Sequence, residues 1–282
     1  MRQEGQQVDV SVCGPGQSRR WTSQTLAEFV ARSVDAARAS DDPFFHLELD
    51  RIFPEDVYAQ ILELKPSAAD YRPMNGRSKG LDLADGTHTR VKIDLFPEYI
   101  RHLPRPKREF WRLVGKALTS DTVCQAFVRR LAPGLVRRFG PGFAAVGMYP
   151  VPVLTRDIPG YWIPPHTDTH WKGITVQLYL PDDDANTDVG TIFLERNPDG
   201  SFAKKAQMPF APNTGYAFAV SDDSWHSADK VHARVTTRDS ILLTYFVDRG
   251  LVRRARNRGK RVGNFVLNEF RSRFQSLRNR YR

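Results

Sequence analysis

Between residues 143 and 247 the chain is a series of short, β-rich runs, and this pattern constrains its fold more than any other feature. The runs are separated by turn-forming residues, for example Pro181 to Asp184 and Asn197 to Gly200. Several short strands at such spacing predict a sandwich or a barrel rather than a parallel α/β sheet. The predicted strands cover 143–154, 174–180, 190–195, 214–220, 230–235 and 239–247.

The N-terminal half has a different, mostly helical pattern. Apolar residues recur at helical spacing from Trp21 to Ala39, with Ser23 as the expected cap, and a second helix should begin at Pro54. A short strand precedes Pro54 at 44–49, and another is expected near 88–95. Two further helical stretches are predicted at 107–118 and 121–139. We therefore expect an α+β, β-rich domain over residues 23–249, with its β core at about 142–248 and its helices packed on one side.

Charge is concentrated at the C-terminal end. Residues 250–282 hold eleven of the 42 Lys and Arg residues but one of the 32 acids, so the rest of the chain is balanced at 31 of each. Apolar residues in this tail recur every three or four positions, which predicts a basic amphipathic helix. Such a tail suits an anionic membrane surface, a subunit contact or packing on the body of the protein. Nucleic acid is a weaker candidate, because basic and aromatic residues do not interleave near 66–92.

Cysteine content and the N-terminal segment favour a reduced, cytoplasmic protein. The two cysteines, Cys13 and Cys124, are far apart and lack metal-ligand spacing. The polar segment 1–22 has no apolar core of the kind found in signal peptides. We expect a cytoplasmic location, with the tail able to contact the inner face of a membrane.

Three residues form a candidate metal site. His166 and Asp168 are separated by one residue, so on a strand their side chains would lie on the same face. His226 follows a strand-like run and a turn, and it supplies a third ligand. Two imidazoles and one carboxylate leave positions open on an octahedral ion, an arrangement that suits Fe(II). His170, with the same parity as His166, and His232, within the run 230–235, are the rival histidines.

Two residues at the start of the last predicted strand form a candidate carboxylate-binding pair. Arg238 and Ser240 also share a face, where a guanidinium can bind a carboxylate through two bonds and a hydroxyl can add a third.

The order His-X-Asp, a distant His, then Arg-X-Ser resembles the Fe(II)/2-oxoglutarate-dependent oxygenases, and in particular their prolyl-hydroxylase-like branch. The segments around the motifs are also similar: Gly173 to Leu180, Gly190 to Phe193 and Trp225-His226. The resemblance is clear over about 142–248 and fainter over 44–139. It implies a double-stranded β-helix (jelly roll) braced by the N-terminal helices.

By this resemblance, His166, Asp168 and His226 bind Fe(II), and Arg238 and Ser240 hold the far carboxylate of the cosubstrate 2-oxoglutarate. Reaction with O₂ would then give succinate, CO₂ and a hydroxylated product. Because a basic tail follows an otherwise neutral body, we expect a small or lipid-linked anionic substrate, and on these grounds the chain resembles the hydroxylases of the lipopolysaccharide sugar 3-deoxy-octulosonic acid. The same chemistry on nucleic acid or protein is an alternative. A zinc-binding hydrolase is another, because the ligand set also suits zinc.

Overall fold

The computed structural model describes residues 21–74 and 82–248. The predicted basic tail therefore lies outside the described residues. Five α-helices occur in the described part: α1 Ser23–Ala36, α2 Glu55–Glu63, α3 Arg105–Leu118, α4 Asp121–Arg130 and α5 Ala132–Phe139. The strands are β1 Arg38–Ser40, β2 His46–Leu49, β3 Arg72–Pro73, β4 Arg90–Asp94, β5 Gly147–Asp157, β6 Ile163–His166, β7 Lys172–Tyr179, β8 Ile192–Arg196, β9 Phe202–Gln207, β10 Gly215–Ala219, β11 His226–Ala228 and β12 Arg238–Asp248.

The strands form two antiparallel sheets. The large sheet has the order β1-β2-β10-β7-β12-β5-β4-β3, and the small sheet has the order β6-β11-β8-β9. From β5 onward the chain alternates between them: β5, β7, β10 and β12 belong to the large sheet, and β6, β8, β9 and β11 to the small one. Residues of both sheets line one cavity and one aromatic core, so the two sheets face each other.

Strand parity decides which side of the large sheet each residue occupies. In β12, Ile241, Leu243 and Tyr245 join the core that contains the helices. The intervening Arg238 and Leu242 line a cavity on the opposite side. Because successive side chains alternate across a strand, the same strand serves both the helical core and the inter-sheet space.

The inter-sheet core is mainly aromatic. Phe193 of the small sheet packs against Tyr216 and Phe218 of β10, with ring centroids 5.2 and 6.0 Å apart. Phe44, before β2, lies 4.7 Å from Phe193. Gly190 allows the chain to pass close to this core, since a Cβ there would lie 1.6 Å from the carbonyl oxygen of Met208.

The register of the central strands aligns charged residues from three of them. The long β5–β12 pairing places Arg238 opposite Asp157. The β4–β5 pairing places Arg90 opposite the same Asp157. Asp157 thus lies between two arginines in one row across the sheet, and such directly opposed pairs of unlike charge stabilise a sheet.

The helices cover the other side of the large sheet. α1 begins after Thr22, whose hydroxyl accepts from the backbone N–H of Thr25, so the cap is Thr22 rather than the predicted Ser23. The single helix predicted for 121–139 is divided into α4 and α5 at Leu131. Pro133 explains the division, because it has no N–H to donate to the carbonyl of Arg129.

Most of the predicted β runs are strands, but three differences concern the site. The run 230–235 is a loop, so the prediction of a strand around His232 is wrong. The short strands β6 and β11 are not among the predicted β runs, although the argument for His166 and Asp168 assumed a strand that contains both. Strand β6 ends at His166, which leaves Asp168 in the following loop.

Among the described helices, none has the length and apolar character needed to span a bilayer.

Candidate functional site

A cavity of about 310 Å³ lies between the two sheets, next to the ends of β6 and β11. The large sheet supplies one wall and the small sheet supplies the other. The charged and metal-binding side chains that line it are His166, Asp168, Lys172, His226, Arg90 and Arg238. The cavity therefore contains four of the five residues that the sequence singled out.

His166 and His226 face each other across the β6–β11 pairing. Their ring centroids are 4.2 Å apart. Nδ1 of His166 lies 2.9 Å from the carbonyl oxygen of Pro164, and Nδ1 of His226 lies 3.0 Å from that of Ser224. Because a carbonyl oxygen only accepts, each Nδ1 must be the protonated donor. In the neutral imidazole this leaves the Nε2 lone pair for a metal, the usual arrangement of metal-binding histidines.

The surroundings of His226 favour its neutral form. Burial lowers the pKa of His226 below its ordinary value, and the nearby Asp168 carboxylate opposes this shift without reversing it. A neutral imidazole is the form that binds a metal ion.

Asp168 is held in place by two donors from the start of β7. Lys172 Nζ donates to Oδ1 at 2.5 Å, and Thr175 Oγ1 donates to Oδ2 at 2.6 Å. Burial by itself would raise the pKa of Asp168, but the charge of Lys172 and these hydrogen bonds outweigh it and lower that pKa to about 2. Asp168 is therefore an oriented, negatively charged carboxylate at neutral pH.

One ligand atom from each of His166, Asp168 and His226 lies within 4.8 Å of the other two. Two neutral imidazoles and one carboxylate are a donor set that suits first-row divalent metals such as Fe(II) and Zn(II). The sequence argument that placed His166 and Asp168 on one strand face is only partly correct. The loop after β6 and the contacts from β7 bring Asp168 to the histidines.

Arg238 lies deep in the same cavity, with 1% of its side chain exposed. Its Nη1 donates to Asp157 Oδ2 at 2.9 Å, and its Nη2 makes a long contact of 3.4 Å with Thr191 Oγ1. Burial alone would lower the pKa of Arg238, but the Asp157 carboxylate, together with Tyr179 and Tyr161, outweighs burial and raises it, so the guanidinium stays charged. Its Nε is buried and has no hydrogen-bond partner among the described residues. An unpaired buried donor on a cation is a suitable contact for an anionic ligand.

Ser240 is completely buried two residues further along β12, and it is not among the cavity-lining residues. Its hydroxyl lies 2.8 Å from Thr155 Oγ1 and accepts from Gln177 Nε2 at 2.9 Å. In this arrangement the hydroxyl organises its neighbours and does not face the cavity.

Sequence reasoning missed the residues that surround Arg238. Tyr216 donates from its hydroxyl to Gln177 Oε1 at 2.8 Å and lies 3.0 Å from Thr191 Oγ1. Gln177, Thr191 and Tyr216 all line the cavity, as does Arg90. The signal available in the sequence was strand parity, because Thr175 and Gln177 are polar residues at alternate positions of the otherwise apolar run from Ile174 to Tyr179.

The rival histidines lie away from the site. His232 is in the loop after β11, 53% exposed, with Nε2 3.8 Å from Asp188. His170 is exposed and packs beside Trp171, with ring centroids 5.0 Å apart. In the described part of the chain, the three-residue group of His166, Asp168 and His226 is the one cluster of potential metal ligands.

No family model matches this sequence, and no curated protein matches it. Among solved structures, the chain is similar to a prolyl-4-hydroxylase from Pseudomonas putida, with 15% identity, a TM-score of 0.46 and coverage of 78% of this chain and 100% of that one. It is also similar to a Trichoplax adhaerens prolyl hydroxylase in complex with a hypoxia inducible factor peptide, with 11% identity, a TM-score of 0.47 and coverage of 80% and 90%. A third is a 2OG-Fe(II) oxygenase family oxidoreductase from Burkholderia pseudomallei, with 15% identity, a TM-score of 0.43 and coverage of 85% and 94%.

Proposed function

We propose that this chain is an Fe(II)/2-oxoglutarate-dependent dioxygenase that hydroxylates its substrate in the inter-sheet cavity. One observation carries the proposal: the His166, Asp168 and His226 group shares a cavity with the buried cation Arg238. A metal-ligand group alone would equally suit zinc. A buried guanidinium in the same space gives a reason for a second, anionic ligand beside the metal.

His166, Asp168 and His226 would hold Fe(II), through the Nε2 atoms of the histidines and an oxygen of the carboxylate. Arg238 would bind the far carboxylate of 2-oxoglutarate, for which its unpaired Nε is a donor. Ser240 belongs to the proposed cosubstrate site, and to donate to the carboxylate its hydroxyl would turn from Thr155 Oγ1 to the ligand while still accepting from Gln177. Bound together, Fe(II), 2-oxoglutarate and O₂ supply a reaction that converts R–H to R–OH while 2-oxoglutarate becomes succinate and CO₂.

The protein residues around the site would orient the ligands and keep water out. Phe193, Tyr216 and Phe218 form the aromatic core beside the cavity and are almost completely buried. Lys172 and Thr175 keep Asp168 ionised and oriented. A site with such fixed donors and little water strengthens electrostatic contacts to its ligands.

The alternation of β5 to β12 between two antiparallel sheets supports a more specific description of the fold, a jelly roll braced by the helices. We propose one oxygenase domain over 23–249, between a polar segment 1–22 and the basic tail. A relationship to the prolyl-hydroxylase-like branch is part of the same proposal.

The charges of the cavity support a small or lipid-linked anionic substrate, such as a lipopolysaccharide sugar. Arg90, Lys172 and Arg238 line the cavity, against Asp168 as its one lining acid. Nucleic acid or protein substrates are alternatives with the same chemistry. A zinc hydrolase fits less well, because the lining contains no glutamate to act as general base.

A cytoplasmic protein that contacts an anionic membrane through residues 250–282 would suit a lipid-linked substrate. These residues carry the net charge of +10 of the whole chain. Each Lys or Arg near an anionic leaflet contributes about 1 kcal/mol, and salt screens the attraction.

The full chain should therefore sediment with anionic vesicles at low salt and dissociate at high salt. If sedimentation did not depend on salt concentration or on lipid charge, this part of the proposal would be wrong.

The reaction is tested by following CO₂ release from 1-[¹⁴C]-2-oxoglutarate, with Fe(II), ascorbate and the purified full-length chain. Anionic sugars, lipids, amino acids and peptides are screened for stimulation of CO₂ release. The Asp168→Ala variant is the control and should release no CO₂ above background. Absence of 2-oxoglutarate binding, together with Zn(II)-dependent hydrolysis, would favour the zinc alternative.

A further inference from the structure

A second guanidinium, that of Arg90, lines the same cavity as Arg238. The two arginines flank Asp157 in the row formed by β4, β5 and β12. Arg90 donates from Nε to Asp157 Oδ1 at 2.5 Å and from Nη2 to Oδ2 at 2.8 Å. Arg238 approaches the same Oδ2 from the other side at 2.9 Å. One carboxylate therefore serves two cations.

The contacts of Arg90 leave one edge of its guanidinium available. Nε and Nη2 form one edge of the planar group, and both face Asp157. Nη1 has no hydrogen-bond partner among the described residues, and 14% of the side chain is exposed, against 1% for Arg238. The ring of Tyr161 lies 4.1 Å from Arg90 Cζ and fixes the plane of the group. The free edge is thus held away from Asp157 in a preset orientation.

The balance of charges in the cavity indicates a ligand-binding role for this free edge. Lys172 is matched by Asp168, but Arg90 and Arg238 share the single Asp157. The two charges of a divalent metal would be offset by the two carboxylates of 2-oxoglutarate. One positive charge would then remain in a largely buried space, and such a charge is stabilised by a paired anion.

We propose that Arg90 is a specificity-determining residue that binds a carboxylate or phosphate group of the substrate, at a position distinct from the one at which Arg238 binds the cosubstrate. This inference rests on the proposed function, because it assigns 2-oxoglutarate to Arg238. It defines the substrate class as one with an oxyanion at a fixed distance from the bond to be hydroxylated. Arginine suits this role because its planar fork matches both carboxylate and phosphate.

The test compares anion affinity in the full-length chain and its Arg90→Gln variant. Inorganic phosphate and acetate are titrated by calorimetry against protein saturated with Mn(II) and 2-oxoglutarate. Glutamine cannot supply the charge, and Asp157 keeps Arg238 as its partner. The matched control is Arg72→Gln: Arg72 also packs on a tyrosine, with Cζ 5.4 Å from the ring of Tyr99, but it does not line the cavity.

The anion of interest is whichever of phosphate and acetate binds the wild type more tightly. We expect Arg90→Gln to raise the Kd for that anion at least about tenfold, because a charge-assisted contact is lost. The affinity for 2-oxoglutarate should stay within about twofold, and Arg72→Gln should bind both ligands like the wild type. Equal anion affinity in wild type and Arg90→Gln would overturn the proposal. So would a loss of 2-oxoglutarate affinity in Arg90→Gln, because Arg90 would then belong to the cosubstrate site.

Failure of the proposed function itself has a separate signature, since 2-oxoglutarate would then not bind the wild type. If Arg90→Gln does not fold, labelling of the wild type replaces it. Arginine modification by phenylglyoxal is mapped by peptide mass spectrometry, with 2-oxoglutarate present throughout. Phosphate or acetate should protect Arg90 from modification, and equal labelling with and without these anions would overturn the proposal.

Discussion

Replacement of His226 by alanine should lower the affinity of the chain for Fe(II) by at least about 100-fold. Loss of a residue that only supports a metal ligand already costs up to about 100-fold, and loss of a ligand itself should cost at least as much. The reason is the arrangement of the three ligands, because one atom from each lies within 4.8 Å of the others. His166→Ala and Asp168→Ala should have effects of similar size. Metal content after dialysis against a defined free metal concentration measures the loss.

His232→Ala is the matched control for this series. His232 is six residues from His226, but it lies in a loop and is 53% exposed. Its replacement should change neither metal content nor thermal stability by a measurable amount. If His226→Ala kept its metal while His232→Ala lost it, the ligand assignment would be wrong.

The second large effect is expected for Arg238→Gln in the binding of 2-oxoglutarate. Loss of one partner of a buried charge pair costs about 2–5 kcal/mol, which corresponds to a rise in Kd of about 30-fold to several thousand-fold. Metal binding should persist, because the variant keeps all three ligands. Asp157 keeps its two bonds from Arg90, so the variant does not leave an unpaired carboxylate. Calorimetric titration of the Mn(II)-loaded protein measures this change.

Arg156→Gln provides a control on the other face of the same strand pair. Arg156 donates to Asp239 through Nε at 2.7 Å and Nη2 at 3.0 Å, in a cross-strand pair like that of Asp157 with Arg238. It does not line the cavity. Its replacement should lower the stability of the fold but leave the affinity for 2-oxoglutarate unchanged. An unchanged affinity in Arg238→Gln would contradict the oxygenase proposal and favour the zinc alternative.

The row Arg90–Asp157–Arg238 links the sheet to the chemistry that we propose. Hydrogen-bond register in β4, β5 and β12 places the three side chains side by side. A buried carboxylate between two guanidinia fixes their orientation before any ligand arrives. Such preorganisation lowers the entropy cost of binding. In the function that we propose, one arginine would bind the cosubstrate carboxylate and the other the substrate anion.

The sequence by itself identified residues whose chemistry can be inferred from local spacing. The β-rich pattern after 142 predicted β5, β7, β10 and β12 of the large sheet and β8 of the small sheet, because each of these strands is long enough to show its own apolar signal. The identities of His166, Asp168, His226 and Arg238 followed from residue type and order. These inferences need no knowledge of which strands pair.

Tertiary structure decided everything that depends on pairing between distant segments. It placed His226 opposite His166, brought Lys172 and Thr175 to Asp168, and assigned the hydroxyl of Ser240 to Thr155 and Gln177. It also joined Arg90 to Arg238 through Asp157, although Arg90 and Arg238 are 148 positions apart in the sequence. The short strands β6 and β11 have too few residues to show a periodic signal, and they are strands because their neighbours supply the hydrogen bonds. Register is a property of the assembled sheet, and so the charge and orientation of the site were decided there.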